Sequence, residues 1–358
     1  MDYINNLLKS GSTFTKDELN LFKQKINFYK KINYEKTKDI LIDELINDIN
    51  NFSKNAKLNN ISLSLVYNNN YLNIYDKTNI NYDIASITKL FTLLLSLKLN
   101  ELNLIDLNDL ITNIDKNYIN LNNHKLIDLI NMKDELITKV RLINSSNIQK
   151  ELYNTYIKKI DYKYTDIGFI ILTKLLEKKL NLKYEDILYK YLLKENNLLN
   201  TYYDSKKVND PKANKLGVIA SAGLFTCNYD LYLLYNNLNN YLSESSINML
   251  YKNSNIHPKL GPLYQKYSDI TKTYVLPLYS NKTFASEGYT GCLTISDLYN
   301  KLHTSILVDS INKETNIKDI NYSKYFNNYQ YNLLNNLLLL DYLSKYNDEK
   351  NTKKLIKI

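Results

Sequence analysis
The sequence predicts an α+β fold: an antiparallel β-sheet flanked by terminal helices, with an all-helical region inserted into it. Three observations carry this. Strand-like alternation falls in two blocks, at 61–75 and 272–309. Between them, apolar residues recur at helical spacing across 101–200. Amphipathic helical patterns stand near both ends, at 16–57 and 329–346. A sheet assembled from both ends makes residues 1–100 and 208–358 one discontinuous domain and 101–207 its helical region. With 358 residues, 44% of them hydrophobic, the chain has material for one large core or two intimate ones.

Taken in order, ISLSLVY (61–67) and YLNIY (71–75) flank three asparagines and read as a hairpin. YDIASITKLFTLLLSLKL (82–99) is a helix apolar on most faces, which marks it as buried. LIDLNDLITNI, HKLIDLINM, NSSNIQKELYNTYIKKI, DIGFIILTKLLEKKL and KYEDILYKYLLKENN supply the helices of the inserted region. The character changes after 208, and three of the four prolines lie between 211 and 262. AGLFTCNYDLYLLYNNL then enters a helix, with Thr226 as its expected N-cap. KTYVLPLYS, TFASEGYTGCLTIS and KLHTSILVDS are strand-like, and YQYNLLNNLLLLDYLSKY closes the pattern with a helix.

Composition narrows the function classes. The net charge of +9 comes from lysines and a single arginine, Arg141, with no basic cluster interleaved with aromatics. Nucleic-acid binding is set aside on that ground. Two cysteines, Cys227 and Cys292, make no disulfide framework and fit free thiols in a reducing compartment. His124, His257 and His303 lack metal-ligand spacing, so neither a metal nor another cofactor is expected. MDYINNLLKSGS has no basic segment leading into an apolar one, and no run of about 18 apolar residues occurs. The expectation is a cytoplasmic protein with no membrane span.

Within the apolar helix, Ser86 and Lys89 stand at i and i+3 and share a face. A serine hydroxyl is a poor nucleophile until a neighbour takes its proton, and a lysine does so only when neutral. Burial among Leu and Phe lowers a lysine pKa, and a helix N-terminus favours a developing oxyanion. Spacing alone leaves another reading open, a serine capping the helix with its lysine reaching the surface. The same spacing recurs at Ser310 and Lys313.

Longer stretches single out the first pair. ASITKLFT (85–92) resembles the nucleophile helix of the serine hydrolases related to penicillin-binding proteins and class C β-lactamases. YKYTDIGFIILTKLLEKKL (162–180) is similar to that family's second motif, Tyr-Ser-Asn or Tyr-Ser-Asp opening a helix, with Tyr164, Thr165 and Asp166 in those places. VNDPKANKLG and ASAGLFT (208–226) resemble the family's H-D-P-x-A…G-H-A-G-L-F-S-T loop. FASEGYTGCLTIS (284–296) is similar to its late F-G-H-T-G-F-T-G or F-A-x-G-G-F-T-G strand. Order and spacing agree over roughly residues 60–310.

The resemblance implies the β-lactamase/transpeptidase-like fold, with the site in the cleft between sheet and helical region. It implies Ser86 as nucleophile, Lys89 as its general base, and Tyr164 as the phenol that passes the proton to the leaving group. Asp166 would bond Lys89 or substrate, or serve only as a helix-start carboxylate. The N–H groups of Ser86 and Tyr289 would form the oxyanion hole, with Gly288 allowing close approach to substrate. The GYTG tetrapeptide is otherwise a plain bulge. Where the family's third motif has Lys or His, then Thr, then Gly, this chain has Ser286, Glu287 and Gly288. A cation is missing and a carboxylate has appeared, which repels an anion if it faces the cleft. INMKDEL (130–136) replaces the usual H-T-S-G-L. Arg141 is either a planar fork kept for a purpose or a chance codon.

The first expectation is a serine hydrolase that cleaves a small-molecule ester, amide or peptide through a Ser86 acyl-enzyme. The enzymatic alternative is a D,D-peptidase or β-lactamase acting on peptidoglycan-like substrates or penicillins. The third is a binding or regulatory relative with a degenerate site.

Overall fold
The computed structural model describes residues 60–67, 70–76, 80–161, 163–251, 282–298 and 301–309, with scattered positions from 20 to 58. The positions described between 20 and 54 are helical, as the amphipathic pattern predicts. The segments 272–280 and 329–346, with His257, Ser310 and Lys313, lie outside the described residues.

The expected hairpin forms from β1 (Asn60–Tyr67) and β2 (Asn70–Asp76). A short strand, β3 (Tyr82–Asp83), leads through a single 3-10 turn at Ala85–Ile87 into α1 (Thr88–Glu101). Leu90, Phe91, Leu93, Leu94, Leu95, Leu97 and Leu99 of α1 are all buried, so the helix is enclosed on every side. Its buried Thr92 and Ser96 hydroxyls donate to the carbonyls of Thr88 and Thr92, which removes the penalty of burying them.

The region after α1 is less helical than the periodicity predicts: LIDLNDLITNI is helical only over Ile111–Ile114, HKLIDLINM only over Leu126–Ile130, and short strands interrupt it. NSSNIQKELYNTYIKKI is helical only over Ile148–Tyr153. Its end turns into β5 (Tyr156–Lys159), which pairs with β4 (Glu135–Ile137). Leu136 opposite Ile157 and Ile137 opposite Tyr156 are cross-strand pairs of good β-formers, and they prevail over the local helical period. The next helix, α2 (Ile167–Leu180), is as expected and ends at Asn181 in the left-handed conformation.

The chain then returns to β3. After β6 (Tyr202–Tyr203) and α3 (Pro211–Leu216), β7 (Leu224–Thr226) pairs between β6 and β3. Thr226 is therefore a strand residue and not the N-cap of α4 (Asn228–Asn236), whose cap position is Cys227. Its hydroxyl sits 2.7 Å from that of Thr201, engaged before it could reach the helix end.

Finally β8 (Thr283–Glu287), β9 (Leu293–Asp297) and β10 (Leu302–Asp309) join the hairpin in an antiparallel sheet of order β2-β1-β10-β9-β8. Among the described residues, the first and last strands thus lie side by side. Asn228 of α4 fastens the helix to both, donating to Ser62 Oγ at 2.6 Å and accepting from Ser305 Oγ at 2.8 Å. His303 and His124 are structural. His303 is buried against Tyr235 and pushed by burial down to about 3, and His124 Nε2 lies 2.7 Å from Asp134.

Candidate active site
The site begins at Asp83. Its carboxylate accepts the N–H of Ala85 at 2.9 Å and that of Asn209 at 2.8 Å, while its carbonyl accepts the Thr290 hydroxyl at 2.6 Å. One residue thereby ties β3 to the loop before α3 and to the β8–β9 turn. Burial pushes the Asp83 carboxyl up, with the N–H bonds acting against it. Ala85 has φ 43°, left-handed backbone at a residue with a Cβ, and it immediately precedes Ser86. Such a conformation costs about 1–3 kcal/mol and persists where surroundings impose it, here through Asp83.

The β8–β9 turn packs directly on this strained segment. A Cβ on Gly288 would lie 2.5 Å from the Ile84 carbonyl oxygen, so only glycine permits the contact. The turn closes through the Gly288 N–H to the Cys292 carbonyl, 2.8 Å, with Gly291 at φ 90°. GYTG is thus a docked turn rather than a plain bulge. It brings Tyr289, 62% exposed, beside the Ser86 segment. The N–H groups of Ser86 and Tyr289 donate to no backbone carbonyl among the described residues.

Around Ser86 the polar groups converge. Ser86 Oγ accepts from Lys89 Nζ at 2.9 Å and from the Tyr164 hydroxyl at 2.7 Å. Lys89 Nζ also lies 2.8 Å from the Tyr164 oxygen, 3.1 Å from the Ser221 carbonyl and 2.7 Å from Asp166. Lys89 is 2% exposed, and neither Ser86 nor any other side chain caps α1 or the turn before it. The capping-serine reading is therefore excluded.

The lysine's charge differs from the sequence expectation. Burial pushes Lys89 down, as anticipated, but the Asp166 carboxylate and Tyr164 more than offset it and hold the ammonium above the ordinary lysine value. Asp166 occupies the N-cap position of α2 without capping it. Its carboxylate is held between Lys89 and Lys212. Burial works against that charge, and the two lysines overcome it, pulling Asp166 down to about 2. Thr165 takes over the helix start, accepting the Ile167 N–H at 3.2 Å.

Lys212, Ser221 and Asp83 were not singled out from the sequence. Asp210 caps α3 by accepting the N–H groups of Lys212 and Ala213, with Pro211 at the first helical position. That short helix delivers Lys212 to Asp166. The quoted stretch VNDPKANKLG held the signal, a cap followed by a lysine, without indicating which carboxylate the lysine meets.

Two predicted positions stand on β8, the strand that packs on the Ser86 turn. Ser286, 2% exposed, sits opposite Thr294 on the β8 face it shares with Phe284, which packs on Tyr235 of α4. Glu287 pairs with Leu293 through the backbone, and its side chain is outside what the structure describes. Beside the Ser86 cluster lies a cavity of about 590 Å³, whose wall includes Tyr164, Asp166, Lys212 and Arg141. Among the described residues no cluster suited to a metal ion occurs, and no helix is long and apolar enough to cross a membrane.

No family model matches the sequence, and no curated protein matches it significantly. Solved structures do. A class C β-lactamase from Rhodobacter sphaeroides gives a TM-score of 0.61 at 12% identity, over 82% of this chain and 99% of its own. FmtA from Staphylococcus aureus gives 0.55 at 15%, over 81% and 87%. A β-lactamase from Mycobacterium bovis gives 0.54 at 13%, over 80% and 96%. The chain has the fold of the serine β-lactamases and penicillin-binding proteins.

Proposed function
We propose that the protein is a serine hydrolase that cleaves a small-molecule ester or amide through an acyl-enzyme on Ser86. The observation that carries this reading is the closed triangle of Ser86, Lys89 and Tyr164, with sides of 2.9, 2.8 and 2.7 Å. A nucleophile in contact with a proton acceptor and a cation is the arrangement that acyl transfer needs. Because Lys89 rests as an ammonium, the role of base passes to Tyr164. The step needs Tyr164 as the phenolate, its own proton already given up to solvent and its charge balanced by the Lys89 ammonium. As Ser86 Oγ bonds to the carbonyl carbon, the Ser86 proton passes to the phenolate oxygen, which becomes the phenol. Tyr164 returns the proton to the departing alcohol or amine as its bond to carbon breaks. Water then attacks the acyl-enzyme by the reverse proton route and releases the acid. The N–H groups of Ser86 and Tyr289 are the donors for the oxyanion. Free thiols at Cys227 and Cys292 fit work in a reducing compartment.

An ester is favoured over a penicillin because the place of the third-motif cation is held by Ser286, which carries no charge and is buried. The test is intact-protein mass after a fluorophosphonate and, separately, after a penicillin. One fluorophosphonate adduct on the parent and none on Ser86→Ala is expected, with no penicillin adduct. An unlabelled parent, or a labelled Ser86→Ala, overturns the assignment. Labelling by both reagents replaces the ester reading by a penicillin-recognising one.

A further inference from the structure
Arg141 is the one arginine in a chain that otherwise uses lysine throughout. It lines the cavity beside Tyr164 and Asp166. Twelve of the 358 residues line that cavity, so an arginine placed at random would fall there about one time in thirty. Its segment is anchored. Lys215 of α3 donates to the carbonyls of Ile143 and Ser145, and the Asn144 N–H closes back on the Arg141 carbonyl at 2.8 Å.

The cavity combines two kinds of surface. Ile137, Leu142, Ile143, Ile167 and Ile170 contribute an apolar wall suited to an aliphatic chain. Its charged groups are not equivalent. Asp166 is held by Lys89 and Lys212, and Lys212 is in turn shared with Asp210 at 3.8 Å. Arg141 is exposed and has no carboxylate partner among the described residues. A guanidinium presents two parallel N–H donors that match a carboxylate, which an ammonium does not.

We propose that this cavity receives the acyl part of the substrate and that Arg141 selects acyl groups ending in a carboxylate. The inference rests on the hydrolase reading for its chemistry but not for its binding. Tyr164 joins the two places, since it contacts Ser86 at 2.7 Å and also forms part of the cavity wall. An aliphatic segment then covers the apolar wall, and its far end meets Arg141.

The catalytic arm compares nitrophenyl half-esters of succinic, glutaric and adipic acids with nitrophenyl butyrate, valerate and hexanoate. In the parent, at least one half-ester is expected to exceed its neutral counterpart in kcat/KM. Arg141→Gln should lower that ratio roughly tenfold to a hundredfold, the range for a hydrogen bond to a charged group. Arg141→Lys should fall between. A parent that prefers the neutral ester throughout, or a ratio unmoved in Arg141→Gln, overturns the proposal. If the parent hydrolyses no ester and takes no fluorophosphonate, the hydrolase reading fails, and binding alone decides this one. Monomethyl glutarate and monomethyl adipate are then titrated calorimetrically into Ser86→Ala and Ser86→Ala/Arg141→Gln. Binding lost with Arg141 upholds the carboxylate site. Equal binding, or none to Ser86→Ala, removes it.

Discussion
Asp166→Asn removes the carboxylate that keeps Lys89 charged, at almost unchanged volume. The pair stands at 2.7 Å, and at an effective dielectric near 20 that contact amounts to roughly 6 kcal/mol. This equals about four pH units of proton affinity, an upper limit because Tyr164 and the Ser221 carbonyl still accept from the ammonium. With burial opposed only by those neutral groups, Lys89 in the variant should lose its proton well before the parent does. In the parent, the raised lysine value keeps the pair intact from the ordinary carboxylate range upward, and the pair is lost only as pH rises through that raised value. If Tyr164 works beside a cationic Lys89, the alkaline limb of activity moves to lower pH in the variant. The assay is the second-order rate of fluorophosphonate labelling between about pH 5 and pH 10, with circular dichroism to confirm folding. An unmoved alkaline limb, or faster labelling at neutral pH, would refute the reasoning and restore Lys89 as the base. Stability supplies a second reading. Removing one partner of a buried pair costs about 3–5 kcal/mol, lessened here because Lys89 is free to shed its proton. Because Asp166 is held down to about 2, its contribution is present above the ordinary carboxylate range and vanishes as pH falls through about 2. The stability gap between parent and variant should close over that same acid window.

Lys212→Met should leave Asp166 with one cation instead of two, so its carboxyl rises toward the ordinary value. Acid unfolding should then begin at a higher pH, and an unchanged acid midpoint would show that Lys212 is only a surface charge. Gly288→Ala forces a Cβ to within 2.5 Å of a backbone oxygen, so the β8–β9 turn must withdraw from Ile84. A loss of about 1–3 kcal/mol by thermal unfolding is expected, together with slower labelling of Ser86, and retention of both would mean the close approach is dispensable. The parent should turn over a chromogenic cephalosporin far more slowly than a neutral chromogenic ester, and comparable kcat/KM values would sink the argument from the missing cation.

The fold was legible where neighbouring residues decide it. The 61–75 hairpin shows as alternation around asparagines, and α1 shows as a helix with no polar face. Thr226 and residues 156–159 misled for one reason: their strands exist because of partners outside the local window, Tyr82 for Thr226 and the 135–137 strand for the other, which local periodicity does not contain. The candidate site divides in the same way. Ser86 and Lys89 are adjacent by helix geometry, so their spacing alone brought them together. Tyr164 is one tyrosine among 34, and only the order of the resembling stretches marked it. Lys89's charge was misjudged because burial is local to α1, whereas the carboxylate that reverses its effect arrives from the start of α2. Lys212 was invisible because a lysine is the commonplace cation of this chain and its meeting with Asp166 is made by tertiary structure.

The distribution of charge gives the site its direction. The resemblance placed an anion-binding cation on the late strand, and there the chain has Ser286, buried on the face packed toward α4. The cations instead line the cavity beside Tyr164 and Asp166, Lys212 from α3 and Arg141 from the segment that Lys215 anchors. Lys212 is neutralised in place, and its effect is internal: it draws on the same carboxylate that holds Lys89, so it sets how firmly the ammonium beside Ser86 is bound. Arg141 is left to face the cavity. On the reading proposed above, a substrate carrying its charge toward Ser286 meets an uncharged, buried residue at that position and bears the cost of desolvating that charge. One carrying it at the far end of the acyl chain meets a guanidinium across an apolar wall. On that reading, the same nucleophile and phenol would serve a different half of the substrate, and relocation of the cation, rather than loss of the catalytic groups, would separate this site from one built for penicillins.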